Sequence, residues 1–336
     1  MPKPIAVLIS DIHYSLATLT VADAALRMAI KVANDLKVML VVSGDLHDSK
    51  ANMRAECVNT LIETFKLCDS PPAVLRGNHD ACNERSKEHA LNFLAPYAMI
   101  VDEPKYIHPI GHFIPYFHDP DELREHLKTL PRGATVIMHQ GLTSTNAGDY
   151  IQDKSAINPE DVAGLRVISG HYHTRQTTKL PNGGVWDYVG NPYTLTFGEA
   201  NDPPKGFQIL MSDVSLEFIP TNLRKHVVIE YDLTTDESKW SAGPINYGGG
   251  IQDIVWVRVR GRREQLSKFN KDMWCREKGI PRSVRLDLIP IDSPIQVTNT
   301  HLNLTGGTLL DSLIDALPDT DDDNKIRLKR LWKDLA

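Results

Sequence analysis

The chain has 336 residues, 41% hydrophobic and 24% charged, with a net charge of -6, which suits a folded globular protein with room for one large domain and a smaller second one. No stretch approaches the roughly 20 apolar residues of a membrane helix, and Met1-Pro2-Lys3-Pro4 leads into a strand-like run without a signal peptide's apolar core, so a cytoplasmic location is expected. Cys57, Cys68, Cys82 and Cys275 are scattered without CxxC spacing, which argues against a disulfide framework or a cysteine zinc site.

Ile5–Ile9 is a continuous aliphatic run, the pattern of a central strand buried on both faces, and it ends in Ser10-Asp11-Ile12-His13. Val21, Ala25, Met28, Val32 and Leu36 follow at helical spacing. Val38–Val42 is the next buried strand, ending in Ser43-Gly44-Asp45-Leu46-His47-Asp48, and Ala51–Leu67 reads as a second helix. After Pro71-Pro72, the run Ala73-Val74-Leu75 ends in Arg76-Gly77-Asn78-His79-Asp80. Strand, helix, strand, helix, strand at this spacing is a βαβαβ unit with a parallel sheet.

Short helices are expected at Lys87–Leu94 and Asp121–Leu130, and a strand at Ala134–Met138 ending in His139. Thr143–Ser155 is polar and turn-rich, a loop long enough to be functional. Leu165–Ser169 is another buried strand, ending in Gly170-His171-Tyr172-His173. Segments near Thr174–Leu180, Val185–Val189, Gly206–Met211 and Val214–Ile219 alternate in character and are expected to form a second, antiparallel sheet packed on the first.

A boundary is expected near Pro220–Lys225. Beyond it, strands at Val227–Asp232, Ile254–Arg260 and Ser283–Ile289, a helix at Gln265–Lys278 and a glycine-rich linker at Asp236–Gly250 make a small α+β module. Leu309–Leu317 and Lys325–Leu335 read as short amphipathic helices around an acidic linker, too short to be stable without something to pack on. From Arg258 to Arg285 there are ten basic residues against three acidic ones, a local excess of +7 that leaves -13 for the rest. Either this is a phosphate-facing surface, with Arg258, Arg260, Arg262 and Arg263 as its first contacts, or it is a solvated face.

Ligands in open α/β sheets gather at the carboxyl ends of strands. Here successive strand ends carry Asp11 and His13, Asp45, Asn78, His139, and His171 and His173. Carboxylates, imidazoles and an amide oxygen are donors for hard-to-borderline divalent cations. Any one of them alone has a plain explanation as a cap or a surface residue; together on one rim they point to a dinuclear metal centre. If the segments are extended, Asp11 and His13 point the same way, as do His171 and His173.

The pattern DxH, GD, GNHD, H, GHxH resembles the calcineurin-like metallophosphoesterase superfamily over residues 5–220. The resemblance implies a metallophosphoesterase β-sandwich of the α/β class, flanked by helices around the βαβαβ core. It also implies one metal held by Asp11, His13, Asp45 and His173, and a second held by Asp45, Asn78, His139 and His171, with Asp45 bridging. His79 suits protonating the leaving oxygen or stabilising the transition state. Asp80 and Asp48 either orient it or cap their turns, and His47 has a surface or supporting role.

The run Tyr188-Val-Gly-Asn-Pro-Tyr-Thr-Leu-Thr-Phe-Gly-Glu199, followed by Lys205-Gly-Phe207, looks like the end of the catalytic domain in SbcD-type nuclease subunits, and the chain is shorter than many cellular members, as phage-encoded ones tend to be. That narrower resemblance implies a nuclease domain at 1–222, a DNA-capping module at 223–302 and a partner-binding tail at 303–336. It further implies two divalent ions, chiefly Mn2+, a DNA substrate cut from duplex ends and within single strands, and a role in DNA repair and recombination. An SMC-like ABC ATPase of the SbcC type would engage the tail through Ile326, Leu328, Leu331, Trp332 and Leu335, and homodimerisation would use Arg54–Leu67 and Lys87–Leu94. The alternative on the same scaffold is a nucleotide or small-molecule phosphodiesterase.

Overall fold

The computed structural model describes residues 2–50, 52–83, 87–143, 145, 154–235, 253–277, 279, 284–291 and 325. The expected linker at 236–250, most of the loop at 143–155 and, Lys325 aside, the two C-terminal helices lie outside the described residues.

The expected βαβαβ unit is present as β1 (Pro4–Ile9), α1 (Leu19–Leu36), β2 (Met39–Val42), α2 (Ala55–Phe65) and β3 (Ala73–Leu75). β4 (Met99–Val101) extends it in parallel. Only a 3-10 turn at Ala90–Leu94 stands where Lys87–Leu94 reads as a helix. Then come β5 (Lys105–Ile107), β6 (Gly111–Ile114), α3 (Pro120–Lys128), β7 (Thr135–His139), β8 (Arg166–Gly170), β9 (Gln176–Lys179) and β10 (Val185–Tyr188). β4, β5 and β6 are too short for their periodicity to show in the sequence.

β11 (Gly206–Met211) and β12 (Leu216–Pro220) correct the expected antiparallel second sheet. They return to the first sheet, whose order is β12-β11-β1-β2-β3-β4, with β11 antiparallel to β1. The second sheet has the order β5-β6-β7-β8-β10-β9 and is parallel through β6, β7, β8 and β10. The physical reason is strand burial. Gly206–Met211 carries a nearly unbroken buried run, which suits a place beside β1 better than an exposed edge.

The two sheets pack face to face. Ala6, Leu8, Val41, Leu75 and Leu210 of the first meet Phe113, Ile137 and Ile168 of the second. The alternate residues of β1, Val7 and Ile9, face the other way, into a layer with Ala22, Ala25, Leu26 and Ala29 of α1. Both faces of β1 are therefore apolar, which explains its unbroken aliphatic run. The outer face of the second sheet, with Val136 and Val167, packs on Leu123 and Leu127 of α3.

Beyond residue 225, β13 (His226–Asp232), β14 (Ile254–Gly261) and β15 (Arg285–Pro290) form a parallel three-stranded sheet. Its own core contains Ile229, Tyr231, Val257, Val259, Trp274 and Cys275. The single helix expected at Gln265–Lys278 is instead α4 (Arg263–Ser267) and α5 (Lys271–Glu277). The break follows from Asn270, whose side chain accepts the Met273 N–H and so starts a new helix. Phe197 packs edge-on against His226 and Trp256, 4.8 and 5.4 Å between ring centroids, and joins this sheet to the larger body.

Candidate metal centre

The candidate ligands do not sit on the rim of one sheet, as the sequence suggests. Asp11, His13, Asp45 and Asn78 follow β1, β2 and β3 of the first sheet, whereas His139, His171 and His173 end or follow β7 and β8 of the second. The carboxyl ends of the two sheets converge because glycine lets them. A side chain at Gly170 would collide with Ser10 Oγ and the Ser43 carbonyl, and one at Gly77 with the Asp45 carboxylate and backbone.

Nor are the Asp-x-His and His-x-His segments extended. Asp11, His13 and Asp45 have φ of 52°, 51° and 50°, and His171 has 90°, left-handed values that non-glycine residues adopt at a cost of about 1–3 kcal/mol each. Hydrogen bonds across strands hold these turns: the Asp11 and His13 N–H groups donate to the Gly44 and Asp45 carbonyls, 3.1 Å each. The His171 N–H donates to the Asp11 carboxylate at 3.1 Å, tying the second sheet to the first.

The result is two clusters that hold the expected ligands, with a third group, His13, Asp48 and His79, beside them. Ligand atoms of Asp11, His13 and His173 lie within 4.8 Å of one another, as do those of Asp45, His139 and His171. Asn78 Oδ1 joins the second cluster, 2.9 Å from His171 Nδ1 and 3.1 Å from His139 Nε2. Asp45 Oδ2 stands between the clusters, 3.2 Å from His139 Nε2 and 3.8 Å from His13 Nε2. The geometry brings together every residue expected as a ligand.

A pair of divalent cations fits this donor set. His13 is 3% exposed, and while its Nδ1 has the Asp48 carboxylate beside it, its Nε2 makes no hydrogen bond; a buried polar atom left this way needs another partner. Two of the remaining imidazoles are tethered at the nitrogen away from the clusters. His139 Nδ1 lies 2.8 Å from the Ser43 carbonyl, and His173 Nδ1 lies 2.9 Å from Glu199 Oε1. Such outer contacts orient metal-ligating histidines.

Burial opposes protonation of His139, but the Asp45 carboxylate beside it wins and raises its pKa to about 9. Burial also works against ionising Asp45, and the cationic imidazoles around it, His139 foremost, hold its pKa well below the usual carboxylate range. Without metal the two therefore form a buried ion pair at neutral pH. A cation must displace the His139 proton, so metal binding is expected to release protons, with apparent affinity rising as pH increases toward 9. Calorimetry in buffers of different ionisation enthalpy measures that release at pH 7; no net release would refute the assignment of His139 as a ligand.

His79 lies at the edge of the cleft. Its N–H donates to Asp45 Oδ1 at 2.8 Å, its ring meets that of His13 edge-on at 4.8 Å, and its Nδ1 is 2.7 Å from the Asp48 carbonyl. That carbonyl can only accept, so Nδ1 carries the hydrogen and Nε2 is the nitrogen left for chemistry. Asp48 orients His79 through its backbone, while its carboxylate lies 3.3 Å from His13 Nδ1. Asp80 does not orient His79, a correction to one of its two expected roles. It is fully buried, and its oxygens accept the N–H groups of His47 at 3.1 Å and Gly77 at 2.8 Å, fixing the turn that presents Asn78. His47 is likewise not a surface residue: it is 2% exposed, with its ring 5.8 Å from Phe93.

Sequence reasoning missed what Glu199 does. Buried behind His173, it accepts from that ring, from Asn191 Nδ2 at 2.8 Å and from the Leu195 N–H at 3.0 Å, with Lys205 Nζ at 3.4 Å. Burial works against its ionisation, but His173 and Lys205 outweigh it and hold the pKa at about 2. The only sequence signal was the Asn191-to-Glu199 run itself, read as a family mark with no role for its acid. Glu199→Gln is expected to weaken metal affinity by about 10–100-fold; calorimetric titration with Mn2+ measures it, and an unchanged affinity would reduce Glu199 to a packing residue.

The basic strand face is less free than its composition suggests. Arg258 and Arg260 both reach Glu230, at 2.9 and 3.4 Å, and Arg258 and Arg285 flank the Trp256 ring at 5.2 and 4.1 Å. Arg262 and Arg263 are exposed. Lys278 and Arg282, counted in the same charge excess, lie outside the described residues.

Residues 6–175 match the family model for the calcineurin-like phosphoesterases. Exonuclease subunit 1 of Enterobacteria phage T4 is 25% identical over 300 residues, covering 84% of this chain and 82% of that protein. Among solved structures, a dimetal phosphatase from Danio rerio aligns with a TM-score of 0.45 at 14% identity, over 66% of this chain and all of the other. A phosphopantetheinyl hydrolase from Mycobacterium tuberculosis aligns at 0.37 and 13% identity, over 65% and 96% of the two chains. The family match spans just over half of the 336 residues and contains every candidate ligand, and on that ground the chain belongs to the calcineurin-like phosphoesterase family.

Proposed function

We propose that this chain is a metal-dependent DNA nuclease, hydrolysing phosphodiesters from duplex ends and within single strands. The observation that carries the reading is the pairing of two donor clusters, joined by Asp45, with a histidine held beside them in one tautomer. The likeness to a phage exonuclease subunit over most of this chain supports the nuclease class.

Asp11, His13, Asp45 and His173 would hold one cation, and Asp45, Asn78, His139 and His171 the other. When bound there, such a pair would supply charge neutralisation at the phosphoryl group and a water acidic enough to attack. The mixture of carboxylate, amide oxygen and imidazole suits Mn2+. The chain's own residues do the rest. The Asp48 carbonyl keeps the hydrogen on Nδ1 of His79, so that a second proton carried at Nε2 can pass to the leaving oxygen. Glu199 keeps the His173 ring turned toward its cluster. The cleft over the site, about 720 Å³ and lined also by Lys50 and Lys154, sets cations around a polyanionic strand.

The assignment extends to the rest of the chain. Residues 1–222 serve as the nuclease domain, 223–302 as a DNA-capping module and 303–336 as a tail that docks on an SMC-like ABC ATPase. A homodimer, a place in DNA repair or recombination, and the cytoplasm of a host cell fit the same reading. Among the described residues no helix is long and apolar enough to cross a membrane.

The test is hydrolysis with Mn2+ of linear duplex DNA, circular single-stranded DNA and bis-p-nitrophenyl phosphate. Cleavage of both DNAs, abolished by EDTA and restored by Mn2+, is the expected result. Turnover of the small diester with neither DNA cut would make the chain a small-molecule phosphodiesterase instead.

A further inference from the structure

Beside the metal cleft lies a second cleft of about 890 Å³, walled by Arg76, Lys87 and Glu122 and meeting the first at Tyr116, His118 and Lys154. Arg76 is its anomaly. The residue is 7% exposed, yet of the five N–H donors that a guanidinium carries it uses one among the described residues: Nη2 donates to the Tyr116 carbonyl at 2.9 Å, while Nε has no partner there.

No ion pair to Arg76 occurs among the described residues, and the carboxylates around it are engaged elsewhere. Both oxygens of Asp80 accept backbone N–H groups. On the cleft wall, Asp102 lies 3.2 Å from His89 Nε2, Asp119 accepts the Asp121 N–H at 2.9 Å, and Glu122 faces Lys87 Nζ at 3.7 Å. Among the described residues of the wall, Glu103, which is exposed, has no such partner. A buried guanidinium with unused donors in a cleft wall is the recognition chemistry of a phosphate.

Position narrows the ligand. Arg76 stands two residues before Asn78, and the clefts share the Tyr116 wall, so an anion at Arg76 lies beside one held over the metal clusters. A cleft of this volume suits a nucleotide or two of one strand. We propose that the second cleft binds unpaired nucleic acid at the phosphate neighbouring the scissile one, with Arg76 as the buried contact and Lys87 and Lys154 at the rim. This rests on the nuclease reading above and names the form of strand that the site takes.

The test is fluorescence anisotropy with a labelled oligothymidylate and, separately, a blunt duplex, on the full chain in EDTA, so that binding is read without turnover. Arg76→Gln is expected to weaken single-strand binding about tenfold and to lower its salt slope by about 0.7, the loss of one phosphate contact. Because Arg76 is buried and its variant could fail to fold, Glu122→Lys supplies a second arm on the exposed wall. It replaces an anion by a cation and is expected to tighten single-strand binding several-fold, steepen its slope by about 0.7 and leave the duplex unmoved. If Glu122→Lys changes neither affinity nor slope, or shifts both forms of DNA equally, the second cleft is not a strand subsite. That result, in a chain that still cuts DNA with Mn2+, overturns this inference alone. A chain that hydrolyses bis-p-nitrophenyl phosphate but neither binds nor cuts DNA overturns the nuclease reading and this inference with it.

Discussion

Replacing His79 with alanine is expected to slow DNA hydrolysis by about 10²–10⁴-fold, the range for loss of a positioned acid or base, while leaving two metal ions bound. The separation follows from which part of His79 does what. Its backbone N–H anchors Asp45 Oδ1, and alanine keeps that group. Its side chain touches the Asp48 carbonyl and the His13 ring, and only those contacts are lost. Single-turnover rates with calorimetric Mn2+ titration give the two readouts. The fall should be in kcat at saturating DNA, and it should shrink for a substrate with a p-nitrophenolate leaving group, which needs no proton. Loss of metal along with rate would instead make the imidazole part of the ligand cage.

Asp45→Asn is expected to abolish turnover and to lower the metal content below one ion per chain. Asparagine keeps an oxygen for the His79 N–H, so the loop after β3 should stay in place and the loss should report the missing charge between the clusters. Asp45→Ala removes that acceptor too, and leaving the N–H unsatisfied should cost a further ~1–3 kcal/mol of stability.

The metal-free protein offers a second readout. In the native chain the His139 pKa is raised to about 9 by Asp45, above its ordinary value near 6.5. Its stabilising share is therefore complete below about pH 6.5 and is lost as pH rises through about 9. In Asp45→Asn that dependence should weaken and the His139 pKa should fall, since burial is then opposed only by Asp11 and the Ser43 carbonyl. Urea unfolding of the EDTA-treated proteins between pH 6 and 9.5 checks the first, and histidine NMR titration the second. A wild-type stability flat across that window would show that the pair is not ionised without metal.

What the amino-acid order determined by itself was local. Apolar runs at a period of two or 3.6 marked β1, α1, β2, α2, β3, β7 and β8, and the polar residues just past those strands included every member of the two donor clusters. Such features depend on neighbours in the chain, so they survive being read one segment at a time. What only the tertiary structure decided depends on groups far apart in sequence. The donors come from two sheets that meet over glycines. β11 turns back to pair with β1 across some 200 positions. Asp80 spends its carboxylate on the backbones of Gly77 and His47, and Glu199 reaches back 26 residues to His173. Arg76 is buried at the wall of a cleft with most of its donors unused. Each of these is set by a buried polar group having to find a partner, or failing to find one, once the chain has excluded water. That balance does not exist until the sheets have closed on each other.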